Sequence, residues 1–135
     1  MQTMVKILIP RLKPTRLIQL IIIEGNMETG DLPGKPFRLK IGDNVIGRDL
    51  MCEVVLKSPT ISRRHANLRI SFDQKRFTVE DLGSTNGVSL GPLVLKKEKR
   101  EISPEAEIQI GEIKLKLLAL DEDDESTRGV SVSPS

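Results

Sequence analysis

Apolar and polar positions alternate along much of this chain with a period of two, the spacing of a strand that buries one face. Phe77 and Val79 stand against Thr78 and Glu80, and Ile108 and Ile110 against Glu107 and Gln109. Other runs are short and almost wholly apolar, like 17–23, which only Gln19 interrupts. The pattern predicts strands over 17–23, 37–41, 44–46, 53–56, 66–71, 77–81, 88–90, 93–95, 107–110 and 113–120. A further apolar run at 5–9, closed by Pro10, reads as an extra edge strand or a lead-in. Gly, Pro, Asn and Asp fill nearly every gap, as in Gly42-Asp43-Asn44 and Gly91-Pro92, where the chain must turn. No window of helical length carries a clean apolar face. Short strands at this spacing predict an all-β sandwich of about eleven strands, in two twisted sheets of antiparallel or mixed pairing, with binding loops at one end.

At 135 residues the chain suits one domain with a modest core. Its division is expected to be an N-terminal extension over 1–16, the sandwich over 17–120 and an acidic, disordered tail over 121–135. Aromatics make up 2% of residues, with no Trp or Tyr, so the core must be aliphatic. The same scarcity removes the stacking platforms that single-stranded nucleic acid needs. Cys52 is the only cysteine, which excludes an intrachain disulfide and fits a reducing compartment, expected to be the cytoplasm. The apolar runs are too short to cross a bilayer as helices, and no membrane partner is expected. Residues 11–23 have some features of a signal peptide, but Gln19 breaks the run and Glu24-Gly25-Asn26 replaces a cleavage site. The net charge of +2 is unevenly placed: the tail holds five acids and one arginine, or −4, which leaves +6 on the remainder. A basic body favours an anionic partner.

Three polar clusters fall where strands should turn. Gly47-Arg48 follows the strand at 44–46, and Ser62-Arg63-Arg64-His65 follows the loop-forming Ser58-Pro59-Thr60. Gly83-Ser84-Thr85-Asn86-Gly87 follows the strand at 77–81. An arginine at a strand exit can fork two N–H donors onto a phosphate, a geometry that lysine does not match. The glycines that bracket the last cluster relax the backbone so that Thr85 and Asn86 can point outward, although Asn-Gly is also a hairpin turn by itself. His65, the only histidine, reads as a buried prop for its loop. Taken singly, each cluster is equally a solvated turn; what distinguishes them is their order.

In this order, on an all-β frame, the clusters resemble the forkhead-associated (FHA) domain, whose pattern is GR, then SxxH, then a Ser/Thr-rich turn ending in NG. The resemblance covers about 17–120, most closely at SRRHA and DLGSTNG. It implies a phosphothreonine-binding module of the class that reads phosphorylated motifs, a signalling adaptor or scaffold without catalysis. Carried over by position, it implies that Arg48 and Ser62 hold the phosphate, with Arg63 and Thr85 as further contacts and Asn86 on the peptide backbone. Gly47, His65, Gly83 and Gly87 would shape the loops, and Arg64 would face solvent. The implied partners are threonine-phosphorylated proteins, a Ser/Thr kinase or its substrate among them. Two departures from the family pattern, Gly91-Pro92 and Ser103-Pro104-Glu105-Ala106, are expected to lie in loops flanking the peptide.

Other function classes have weaker support. Ser62 and His65 invite a nucleophile–base reading, but no orienting acid stands beside them in sequence. One histidine and one cysteine do not make a His/Cys metal site, and no GxxxxGK[ST] loop is present, so neither metal nor cofactor is expected. Arg11, Lys13, Arg16 and the run KKEKR at 96–100 offer a basic surface for nucleic acid, the alternative reading. In the tail, Thr127 follows an acidic run and, once phosphorylated, would allow self-association through the same pocket.

Overall fold

Eleven strands form over residues 16–121, the part of the chain that the computed structural model describes. They are β1 (Arg16–Glu24), β2 (Pro36–Arg38), β3 (Gly42–Gly47), β4 (Val54–Val55), β5 (Ala66–Ile70), β6 (Phe77–Asp81), β7 (Val88–Leu90), β8 (Leu93–Leu95), β9 (Lys99–Ile102), β10 (Glu107–Ile110) and β11 (Ile113–Asp121). One sheet has the order β2-β1-β11-β10-β7-β8 and the other β4-β3-β5-β6-β9. Every pairing is antiparallel except the short parallel contact of β3 with β4.

The alternation seen in the sequence is the alternation of burial. Ala66, Leu68 and Ile70 of β5 and Phe77 and Val79 of β6 turn inward, while Asn67, Arg69, Thr78 and Glu80 do not. Ile18, Leu20 and Ile22 of β1 and Ile113, Leu115 and Leu117 of β11 supply the facing sheet, and one continuous aliphatic core joins the two. Phe77 is its one aromatic member among the fully buried side chains. Each such side chain contributes roughly 1.5–3 kcal/mol on burial, so the sandwich needs no disulfide to hold it.

Register decides which loops share an end. Ile46 pairs with Ala66 and Ala66 with Asp81, so the exit of β3, the entry to β5 and the exit of β6 lie together. Val88 pairs with both Ile110 and Leu95, and Glu24 with Lys114, which brings the entry to β7, the β8–β9 turn, the β10–β11 turn and the β1–β2 loop to that same end. All three polar clusters therefore sit on one rim.

Several boundaries differ from the sequence reading. β9 is not among the strands that the alternation predicts, because Lys99-Arg100-Glu101 shows no apolar period. It is an edge strand with charged side chains, the kind of edge that resists further pairing. The strand expected at 37–41 is shorter, and Leu39 is held instead by one backbone bond to Ile18 O at 2.8 Å. β1 starts at Arg16 and β11 reaches Asp121, one residue beyond the expected domain limits at each end, where the two side chains pair at 2.8 Å. The expected placement of Gly91-Pro92 and 103–106 beside the peptide is corrected: the β7–β8 and β9–β10 connections lie at the opposite end of the sandwich. The run at 5–9, Arg11, Lys13 and the tail with Thr127 lie outside the described residues.

Candidate functional site

At the end of β3 the chain runs alongside the SRRH loop. Arg48 N–H donates to Ser62 O at 3.0 Å and Asp49 N–H to Arg63 O at 3.1 Å. This approach requires glycine at position 47, because a Cβ there would lie 2.0 Å from the carbonyl oxygen of Arg63. The Arg48 side chain then crosses the loop, with Nε donating to Ile61 O at 2.8 Å. That bond orients the guanidinium and leaves its two terminal nitrogens to face outward. Arg48, Asp49 and Arg63 line an open cleft of about 260 Å³. Arg63 and Arg64 are exposed, and among the described residues no ion pair takes Arg48, Arg63 or Arg64.

His65 is completely buried and connects the second cluster to the third. Its Nδ1 accepts from Ser62 N–H at 3.0 Å, which makes Nε2 the protonated nitrogen, donating to Gly87 O at 2.8 Å. The imidazole therefore binds the backbone of Ser62, not its hydroxyl. Ser62 Oγ instead accepts from Thr85 N–H at 3.1 Å, so the hydroxyl is left with its own proton to donate outward. A Ser–His nucleophile pair is not what these residues form.

The Gly83–Gly87 loop is built over Asp81. This buried carboxylate accepts from Gly83 N–H at 3.1 Å, from Lys97 N–H at 2.9 Å and from the Ser84 hydroxyl. Ser84 Oγ in turn accepts from Gly87 N–H at 2.8 Å. Both bracketing glycines have positive φ, 87° at Gly83 and 76° at Gly87, a conformation that side chains strain to adopt. Thr85 and Asn86 are exposed at the tip. Asn86 donates one amide N–H to Thr60 O at 3.0 Å, which leaves its oxygen and second N–H available to an extended backbone laid across the rim. The structure thus brings Arg48, Ser62, Arg63, Thr85 and Asn86 to one solvent-facing site, with Gly47, His65, Gly83 and Gly87 as its frame.

Sequence reasoning missed the supports of this rim. Asp81 stands in the quoted DLGSTNG, where an Asp two residues before a backbone N–H is a signal for a side-chain-closed turn. Asp31, Thr60 and Glu112 carry no such local signal. Asp31, in the β1–β2 loop, is buried and accepts from Lys57 N–H at 2.9 Å and Ser58 N–H at 2.8 Å, which fixes the β4–β5 loop. Glu112 accepts from the Ser58 hydroxyl and from Asn26 Nδ2, and its own N–H donates to Thr60 Oγ1 at 3.0 Å.

The family model for the FHA domain matches residues 44–111, half of the chain, and with them all three polar clusters. The chain belongs to the FHA domain family. Among curated relatives, the mediator of DNA damage checkpoint protein 1 of Rattus norvegicus is 41% identical over 58 residues, which are 43% of this chain and 4% of that protein. The matched part is thus a small fraction of the relative's length. An FHA domain from Chlamydia trachomatis superposes with a TM-score of 0.65 at 26% identity, covering 76% of this chain and 96% of that one. The Mycobacterium tuberculosis protein EmbR, in complex with a low-affinity phosphopeptide, shares the fold at 21% identity with a TM-score of 0.63, over 87% of this chain and 29% of that one.

Burial lowers the His65 pKa from its ordinary 6.5, outweighing the opposing bond to Gly87 and the charge of Asp81. For Asp81 burial acts upward, but the donors from Ser84, Lys97 and Gly83 prevail and hold the carboxyl below 3.8. A neutral folded histidine contributes stability that is complete above the unfolded pKa of about 6.5 and declines as pH falls from there toward the lower folded value. The carboxylate contribution of Asp81 is lost only in stronger acid, below about 3.8. Thermal melts of this FHA domain should therefore be level above neutrality and begin to fall as pH drops below 6.5. Imidazole NMR signals, unambiguous for a single histidine, should still be those of the neutral Nε2–H form at pH 6.5. A half-protonated ring at that pH would contradict the proposed bonding.

Proposed function

We propose that this FHA domain binds phosphothreonine in partner proteins and recruits them without chemistry of its own. The observation that carries the reading is the bond from Thr85 N–H to Ser62 Oγ, with the bonds from Arg48 to Ser62 O and Ile61 O beside it. Three segments far apart in sequence are thereby joined around one opening that is rich in donors, with Asp49 the acid on its lining. Arg48 and Arg63 supply charge, the Ser62 and Thr85 hydroxyls supply neutral donors, and Asn86 takes the backbone of the bound segment.

A phosphorylated side chain brings about −1.5 to −2 charge and three strong acceptor oxygens. Charge-assisted bonds contribute roughly 1.5–3 kcal/mol each, so removal of the phosphate strands several donors at once. Preference for threonine over serine rests on one methyl, which in a fitted pocket is worth roughly 1–3 kcal/mol. The complex of EmbR with a phosphopeptide supports the assignment by analogy of fold. The basic surface considered for nucleic acid is dispersed: Arg16 lies at the far end against Gln74 O and Asp121, while Lys96–Arg100 divides between a turn and an edge strand.

A fluorescent library of peptides degenerate around a fixed phosphothreonine tests the proposal. Binders are expected, their unphosphorylated forms should fall below detection, and phosphoserine forms should bind roughly tenfold or more weakly. A library with no binder, or equal binding of unphosphorylated forms, would refute it.

A further inference from the structure

The basic run at 96–100 is not one surface. Lys99 and Arg100 belong to the edge strand β9, where they border a depression of about 280 Å³ with Arg69, Glu80 and Glu101, charges of both signs. Lys96 and Lys97 belong to the β8–β9 turn, on the rim that carries the candidate site. The backbone there is fixed: Lys97 has φ of 55° and donates its N–H to Asp81 Oδ2 at 2.9 Å.

Both side chains lie along the Gly83–Gly87 loop. A Cβ built on Gly83 would be 3.4 Å from Lys97 Cε, and one on Gly87 would be 3.5 Å from Lys96 Cγ. The two stems thus flank the segment that presents Thr85 and Asn86, one at each end of it. Both lysines are exposed, and neither takes part in an ion pair among the described residues. Of the acids at this turn, Asp81 is buried beneath the loop and occupied by Gly83, Ser84 and Lys97, which leaves Glu98 as the one exposed carboxylate within the turn itself.

We propose that Lys96 and Lys97 select acidic residues beside the phosphothreonine, on the side of the peptide that overlies the Gly83–Gly87 loop. The inference rests on the reading of that loop as part of the phosphopeptide site, and it names the partner class: proteins phosphorylated on threonine within acidic segments. Charge complementarity of this kind sets specificity more than total affinity. An exposed ion pair contributes a factor of roughly two to five in binding, so two acting together give about tenfold.

The test is fluorescence anisotropy of phosphothreonine peptides with neutral, acidic or basic flanks, at low and high salt. Acidic flanks should tighten Kd by about tenfold over neutral ones, with the gain shrinking as salt rises. Lys96→Ala with Lys97→Ala should erase that gain and leave the neutral-flank Kd within about twofold. Lys96→Glu with Lys97→Glu should transfer the preference to basic flanks. Equal Kd for acidic and neutral peptides, or an acidic preference that survives the double alanine variant, overturns this inference while leaving phosphothreonine binding intact. Failure of every phosphopeptide to bind overturns both. Displacement of the acidic peptide by an unrelated DNA duplex of matched charge would overturn it in favour of a nonspecific polyanion surface.

Discussion

Arg48→Ala is expected to abolish phosphopeptide binding while leaving the domain folded. The guanidinium is anchored through Nε to Ile61 O at 2.8 Å, so its two terminal nitrogens arrive at the cleft already oriented. Two charge-assisted bonds at roughly 1.5–3 kcal/mol each correspond to about 10² to 10⁴ in Kd. The side chain is exposed, and its one intramolecular bond accounts for only about 1 kcal/mol of stability. Titration calorimetry should therefore lose the signal although the melting temperature moves by only a few degrees. Arg48→Lys should recover little, because a point charge on a flexible stem has neither the fork nor the Nε anchor. Ser62→Ala should weaken binding less, since a neutral hydroxyl contributes about 1 kcal/mol and its loss also releases Thr85 N–H. Retention of near-normal affinity by Arg48→Ala would show that the anion sits elsewhere.

How much of this was legible in the sequence follows from the range of the interactions. β5, β6 and β10 announced themselves because burial on one face leaves a two-residue period that any sequence reading detects. β9 did not, because an edge strand with exposed side chains has no reason to alternate, and Lys99-Arg100-Glu101 reads as a solvated charge run. The site residues were visible as clusters because each loop supplies its own donors in a row. Their supports were not: Asp31 reaches Ser58, Asn86 reaches Thr60 and Glu112 reaches Thr60 across 27, 26 and 52 residues of chain. A lone carboxylate or hydroxyl in a polar loop looks the same whether it is solvated or closes such a contact. Lys96 and Lys97 show the opposite difficulty, since a basic run suggested one surface and register divided it between a turn and a strand.

Gly47→Ala separates the role of the frame from that of the groups it carries, because the frame has no margin at this point. An added Cβ would meet the backbone of the facing loop, 2.0 Å from Arg63 O, 2.7 Å from Arg63 C and 3.0 Å from Arg64 Cα, and none of these atoms can rotate away. Relief requires the Arg48 and SRRH segments of the rim to part, which breaks the bonds from Arg48 N–H to Ser62 O and from Asp49 N–H to Arg63 O. Strain plus two lost backbone bonds should destabilise the domain by about 3 kcal/mol or more, a fall of roughly 10–20 °C in melting temperature. Binding should weaken as well, even at a temperature where the variant is fully folded, since Arg48 and Ser62 no longer share one geometry. The contrast with Arg48→Ala is the informative quantity: one variant loses affinity at nearly constant stability, the other loses both. A Gly47→Ala protein with unchanged melting temperature and unchanged Kd would mean that the two segments do not touch, and the candidate site would lose the contact that assembles it.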